Sequence, residues 1–173
     1  MAFQSTVSIQ QGFGVPGELF SDSPYQAQTY TIVSALASYN IIGKTCCTIT
    51  SEGLCQAGSA GAGGFAGFLV NPKVVALYGT AGEPLAATLT VPNQTIVELL
   101  TMGVIVVTLP AAAALGDLVV YDNTTGAIQT IAPAAALPVG KTFANAIVSY
   151  VTVAGAGLGV VTVNPTFVIP QLA

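Results

Sequence analysis

Between Glu98 and Asp117 the chain runs through LLTMGVIVVTLPAAAALG, eighteen residues without a charged side chain. No other feature limits the fold so tightly. A stretch this apolar must cross a bilayer, enter a core or face another chain. A membrane helix needs about 20 predominantly apolar residues. Pro110 breaks this stretch, and Thr101, Gly103 and Thr108 punctuate it. Its strongest section, residues 104–109, is β-branched and strand-length. The pattern predicts two buried strands and a connecting turn, and no membrane span.

The rest of the chain from Thr29 onward has the same β character. TYTIVSA, KTCCTIT, FAGFLV, KVVALYG, TIVELLT, GVIVVTL, DLVVYD, AIQTIA, NAIVSYVTV and GVVTVN are short runs rich in Val, Ile, Thr and Tyr. Gly, Pro, Asn or Asp bounds most of them, at spacings of about ten residues, as in sandwiches and barrels. LVVYDNTTGAIQTI reads as a hairpin turning at Asp122, Asn123 and Gly126, and NAIVSYVTVAGAGLGVVTVNP as a second, turning near residues 155–157. Residues 111–114 and 134–136 are too short and too close to prolines for more than a turn of helix. The expected fold is therefore all-β, an antiparallel sandwich or barrel of jelly-roll-like character, occupying residues 29–173 as a single domain.

Residues 1–28 differ. QQGFGVPGELFSDSPYQAQ sets Gly12, Gly14, Pro16, Gly17 and Pro24 among Phe13, Val15, Leu19, Phe20 and Tyr25. The glycines and prolines exclude a regular helix or long central strand, while the apolar side chains make the segment too sticky for a solvated linker. It reads as an irregular, extended N-terminal arm lying on its own domain or on a neighbour. Residues 58–67, GSAGAGGFAG, read as a flexible loop between strands.

Charge narrows the function. Ten of 173 residues are charged: Lys44, Lys73, Lys141 and the carboxylates Glu18, Asp22, Glu52, Glu83, Glu98, Asp117 and Asp122. A folded monomer of this mass has about 7,800 Å² of accessible surface. That leaves roughly one charge per 800 Å², about one partner's share of a standard interface. A freely diffusing domain carries a denser, mixed-sign coat. So neutral an exterior can be dried against a neighbour with few ions to desolvate, although a neutral, monomeric β-domain would share the composition. Three lysines in a chain of net charge −4 cannot form the basic patch that nucleic acid requires. The opening MAFQSTVSIQQ has no positive n-region and no apolar h-region, so a Sec signal is not expected. The odd cysteine count, with Cys46 and Cys47 adjacent, points to buried thiols made in a reducing cytoplasm.

Catalytic and cofactor chemistry finds little support. Gly61, Gly63 and Ala66 fit G-x-G-x-x-A, but FLVNP follows instead of a helix. The GKT triplets at residues 43–45 and 140–142 lack the earlier Walker glycine, having Ser38 and Ala135 there. Cys46, Cys47 and Cys55 form no C-x-x-C pair, and the chain has no histidine for a zinc site or a nucleophile–histidine unit. Asp117 and Asp122 flank a strand without calcium-loop spacing. Asn93 and Asn123 open sequons that have no meaning without secretion. No enzyme, cofactor or metal is expected. A two-carboxylate hydrolase would need two of the scattered acids to meet across a cleft.

The opening MAFQSTVSIQQGFGVPGELFSDSPYQAQTYTI, the middle FAGFLVNPK and the later TMGVIVVTLPAAAALGDLVVYDNTTGAIQTIAP resemble the structural cement, or head-decoration, proteins of tailed bacteriophages. The similarity spans nearly the whole chain and is most specific in the arm and in GDLVVYDNTTGAI. The resemblance implies a non-enzymatic virion protein, made in the host bacterial cytoplasm. It would bind the exterior of the expanded capsid and hold contacts between major capsid subunits against internal DNA pressure. Its expected partners are the major capsid protein and itself, as a dimer or trimer, with no nucleic acid and no membrane. Phe13, Val15, Leu19, Phe20 and Tyr25 of the arm are the candidate capsid or oligomer contacts. The alternative is a virion adhesin or fibre-like β-domain that binds a host receptor through exposed tyrosines, drawn from Tyr25, Tyr30, Tyr39, Tyr78, Tyr121 and Tyr150.

Overall fold

The computed structural model describes residues 14–20, 24–58, 64–71 and 89–163. Nine strands run through them: β1 (Gln26–Ile32), β2 (Cys46–Ser51), β3 (Leu54–Ala57), β4 (Phe65–Leu69), β5 (Thr95–Leu109), β6 (Leu118–Asp122), β7 (Ile128–Ile131), β8 (Lys141–Ser149) and β9 (Gly157–Val163). The all-β expectation holds. The described helical content is one 3-10 turn at Ala37–Tyr39, and no helix among the described residues is long and apolar enough to cross a membrane. The KVVALYG run lies outside the described residues.

The first five strands close into a ring. β1 pairs β3, β3 pairs β2, β2 pairs β4, β4 pairs β5, and β5 returns to β1. Four of these pairings are antiparallel; β1–β3 is parallel. The barrel is therefore mixed, and the parallel pair is what completes the ring. Closure removes the free strand edges that would otherwise template pairing with other chains.

TIVELLT and GVIVVTL, expected as separate strands with a turn between them, are one fifteen-residue strand. Gly103 is a bend within it rather than a turn. The register slips where Gln26 faces Met102 and Ala27 faces Leu100. An extra residue at such a bulge reverses which face each side chain takes. Before it, Val97 and Leu99 point into the ring; beyond it, Ile105, Val107 and Leu109 enter a second core. Gly103 has φ +133°, and a Cβ there would come within 2.8 Å of the Tyr25 Cβ, so the bend requires glycine. Beyond the bulge β5 leads a second sheet in the order β5-β9-β8-β6-β7.

Period-2 alternation sorts side chains between two cores. Ile32, Cys47, Cys55, Leu69 and Leu99 belong to the ring's core, one from each of its strands. Their neighbours Cys46, Phe68 and Leu100 point outward and pack with Val119, Tyr121, Ala144, Val148 and Val161 of the second sheet. Adjacent Cys46 and Cys47 thus serve opposite faces of one strand, and all three cysteines are buried free thiols. β7 and β8 both run antiparallel to β6 on its two sides. They are therefore parallel to each other, and residues 132–140 must return along the length of β6.

Candidate functional site

The described part of the arm folds onto its own domain. Gly17 N–H donates to Val106 O at 2.8 Å, Val106 N–H to Glu18 O at 2.9 Å, and Phe20 N–H to Val104 O at 3.0 Å. Leu19 bridges Ile105. Both backbone groups of Val106 face the arm, so the arm covers the edge of β5 opposite β9. Gly17 O also accepts from Asn71 N–H at 2.9 Å. The approach is close enough that a Cβ on Gly43 would overlap the Gly17 backbone nitrogen, and a Cβ on Gly17 would overlap Ile42. An aromatic pair secures the far end of this contact. Phe20 meets Tyr150 edge-on, with ring centroids 5.0 Å apart. Tyr150 has φ +65°, and Val151 N–H donates to Ser149 O at 2.7 Å across it. That is a γ-turn of the strained, positive-φ kind, and it carries the ring that packs on the arm.

The five candidate contact residues therefore divide. Leu19 packs partly into the second core, and Phe20 is half-buried on Tyr150. Val15 and Tyr25 remain 50% and 58% exposed. Phe13 lies outside the described residues. Residues 26–28, read as the end of the arm, are the first residues of β1.

Other exposed apolar groups were not singled out in the sequence. Thr31 of β1 stands opposite Leu54 of β3 on one side and Ile96 of β5 on the other. Directly paired residues share a face, so these three form a row across the outside of the ring, where Ile96 is 64% exposed. Val33, two residues past Thr31, is exposed beside them. Ile96 and Val97 in TIVELLT take opposite faces of β5, and of the two only Val97 joins a core. A second group lies on the β7–β8 connection. APAAALPVG, residues 132–140, has no polar side chain, and Leu137 and Val139 are exposed.

Asp122, Lys141 and the three cysteines are structural. Asp122 Oδ1 accepts from Thr125 N–H and Thr124 N–H, each at 2.9 Å, and its Oδ2 pairs with Lys141 Nζ at 3.0 Å. The Thr125 backbone bond leads in drawing its pKa down to about 2. Asp122 thus pins the β6–β7 turn to the start of β8. Burial pushes the Cys46 thiol well above its ordinary range. The Cys47 thiol is raised by its hydrogen bond to Cys55 and by burial. Among the described residues no three Cys, Asp or Glu side chains gather where they could hold a metal ion.

Residues 3–164 match the model of the structural cement proteins (E217 gp24/Pam3 gp6). The chain belongs to the structural cement protein family. As such it is a non-enzymatic structural protein. A solved chain described as "The capsid of Myoviridae Phage XM1" is similar in fold. It has a TM-score of 0.59 at 20% identity, covering 96% of this chain and 100% of that one. No curated protein matches. For a cement protein the relevant geometry is its surface, and the apolar groups described above are what this surface offers a neighbour.

Proposed function

We propose that this cement protein binds the exterior of the expanded phage capsid and stabilises contacts between major capsid subunits against the pressure of packaged DNA. In this reading it is a component of the virion capsid that works as a dimer or trimer, with the residues before β1 as an arm on a single β-domain. The carrying observation is an exterior with aliphatic side chains exposed on both the ring and the second sheet, in a chain with only ten charged residues. Such a surface loses little ion hydration when covered. A protein that binds only the assembled lattice stabilises that lattice by its binding free energy. Repeated copies, each bridging several subunits, multiply the effect through avidity. A closed ring and a long shared strand suit this role, because a stiff clamp resists the relative movement of the subunits it spans.

The adhesin reading has less support. Of its tyrosines, Tyr121 is buried in the core and Tyr150, though 58% exposed, rests one edge on Phe20, whereas the family match is to cement proteins. The test of the proposal is co-sedimentation of the purified protein with expanded and unexpanded heads, alongside its mass in solution. Binding confined to expanded heads, by a dimeric or trimeric species, is the expected outcome. A monomer indifferent to both kinds of head would overturn it.

A further inference from the structure

The second sheet does not close as the ring does. At one end of the seam between β7 and β5, residues 43–45 bridge the two strands. Thr108 N–H donates to Gly43 O at 2.8 Å, Ile128 N–H donates to Lys44 O at 3.1 Å, and Thr45 pairs with Ala127. Beyond Lys44 the bridge stops and the seam opens into a cavity of about 400 Å³. Its walls include Leu109, Pro110, Ile128 and Gly157, with Lys44 at its side.

Among the described residues the backbone of β7 is only partly paired along this seam. Ala127 O accepts from Asp122 N–H, so residue 127 and its alternates 129 and 131 turn their backbone groups toward β6. Ile128 and Thr130 turn theirs the other way. Ile128 N–H is taken by Lys44, which leaves Ile128 C=O and both backbone groups of Thr130 without a partner among the described residues. Lys44 is exposed. Lys141 is committed to Asp122, so among the described residues Lys44 is the cation open to a carboxylate.

We infer that this seam is a strand-addition groove, which takes an extended segment of a capsid subunit carrying an aliphatic side chain and, close to it, a carboxylate. The inference rests on the capsid-binding reading above and names where part of that contact is made. Three observations define the occupant. Ile128 C=O, Thr130 N–H and Thr130 C=O call for an extended backbone, the mode by which peptides add to open sheet edges. The Leu109, Pro110 and Ile128 walls call for an aliphatic side chain, which a cavity of this size admits. Lys44, which no carboxylate of the described residues pairs, calls for a carboxylate. The groove would then continue the ladder that residues 43–45 begin.

The experiment compares full-length wild type, Lys44→Glu and Thr130→Pro for binding to expanded heads, with amide exchange read on free and head-bound protein. Proline is tolerated on edge strands where its missing N–H faces outward, and Lys44→Glu alters an exposed side chain, so both variants keep a folded control. Reversing the charge is expected to weaken binding about tenfold, and Thr130→Pro to weaken it comparably. The Thr130 amide of wild type is expected to exchange more slowly on heads than in solution. Wild type that binds heads while both variants bind equally well, with Thr130 exchange unchanged, would overturn the groove and leave the capsid-binding reading intact. Failure of wild type itself to bind would strike that reading instead. If the variants changed the mass in solution but not head binding, the occupant would be a second copy, and the inference as stated would fall.

Discussion

Replacing Leu99 by Ala tests whether β5 makes one cooperative unit of the ring and the second sheet. Leu99 is fully buried in the ring's core and has no side-chain share in the second core. Truncating a fully buried leucine costs about 2–5 kcal/mol, depending on how far the site collapses. For a chain of this size each kcal/mol lowers the melting temperature by about 2–4 °C, giving a drop of roughly 4–20 °C. The informative readout is amide exchange at two places, β2 in the ring and β6 in the second sheet. Leu99 neighbours Leu100, which faces the other core, and the same strand continues to Ile105 and Leu109. Loss of the ring should therefore unseat one wall of the second sheet. Opening free energies measured at Cys47 and at Val120 are expected to fall together. A fall confined to β2, with β6 protection unchanged, would show two independently stable units and refute the shared-strand reasoning. Ile96→Ala on the same strand is the control, since its exposed side chain should change stability by no more than about 0.5 kcal/mol.

Three further outcomes follow from the geometry. A double-mutant cycle on Phe20→Ala and Tyr150→Ala should give a coupling of about 0.5–1.5 kcal/mol, with faster exchange of the Val106 amide in each single variant; zero coupling would mean the ring contact does not hold the arm. Asp122→Ala should destabilise the fold near neutral pH. Because the native carboxyl titrates at about 2, below its ordinary 3.8, its contribution is present above pH 4 and lost as pH falls toward 2. Melting curves of the variant and wild type should therefore converge in that window, and a gap that stays constant down to pH 2 contradicts the assignment. The native protein should resist a thiol-specific disulfide reagent at mildly alkaline pH and label at Cys46, Cys47 and Cys55 only on unfolding; rapid native labelling would contradict their burial.

Strand existence was legible because β-branched runs bounded by Gly, Pro and Asn leave few alternatives, and β2, β4, β6 and β7 fall within or close to the runs that predicted them. The joining of β5 was not legible. Gly103 signals a break in a linear reading, whereas in space its missing Cβ lets Tyr25 approach while the strand continues. The ring itself rests on the pairing of β1 with both β3 and β5, and long-range register leaves no local trace in composition. The arm was recognisable as sticky and irregular, but its choice of surface depended on the free β5 edge at Val104 and Val106, which no residue of the arm encodes. The seam beside Lys44 was hidden for a similar reason. GKT at residues 43–45 suggests a failed phosphate loop by sequence, and only the fold reveals it as the point where one sheet stops pairing.

The most direct measurement for the central claim is the melting temperature of expanded heads, by scanning calorimetry, across a series of added protein concentrations. A ligand of the assembled lattice alone stabilises it by about 2.7 kcal/mol per site at a hundredfold excess over its dissociation constant. The account predicts a shell transition that rises steadily with concentration and continues upward past half-occupancy. A shell transition that stays fixed while the protein melts separately at its own temperature would contradict it.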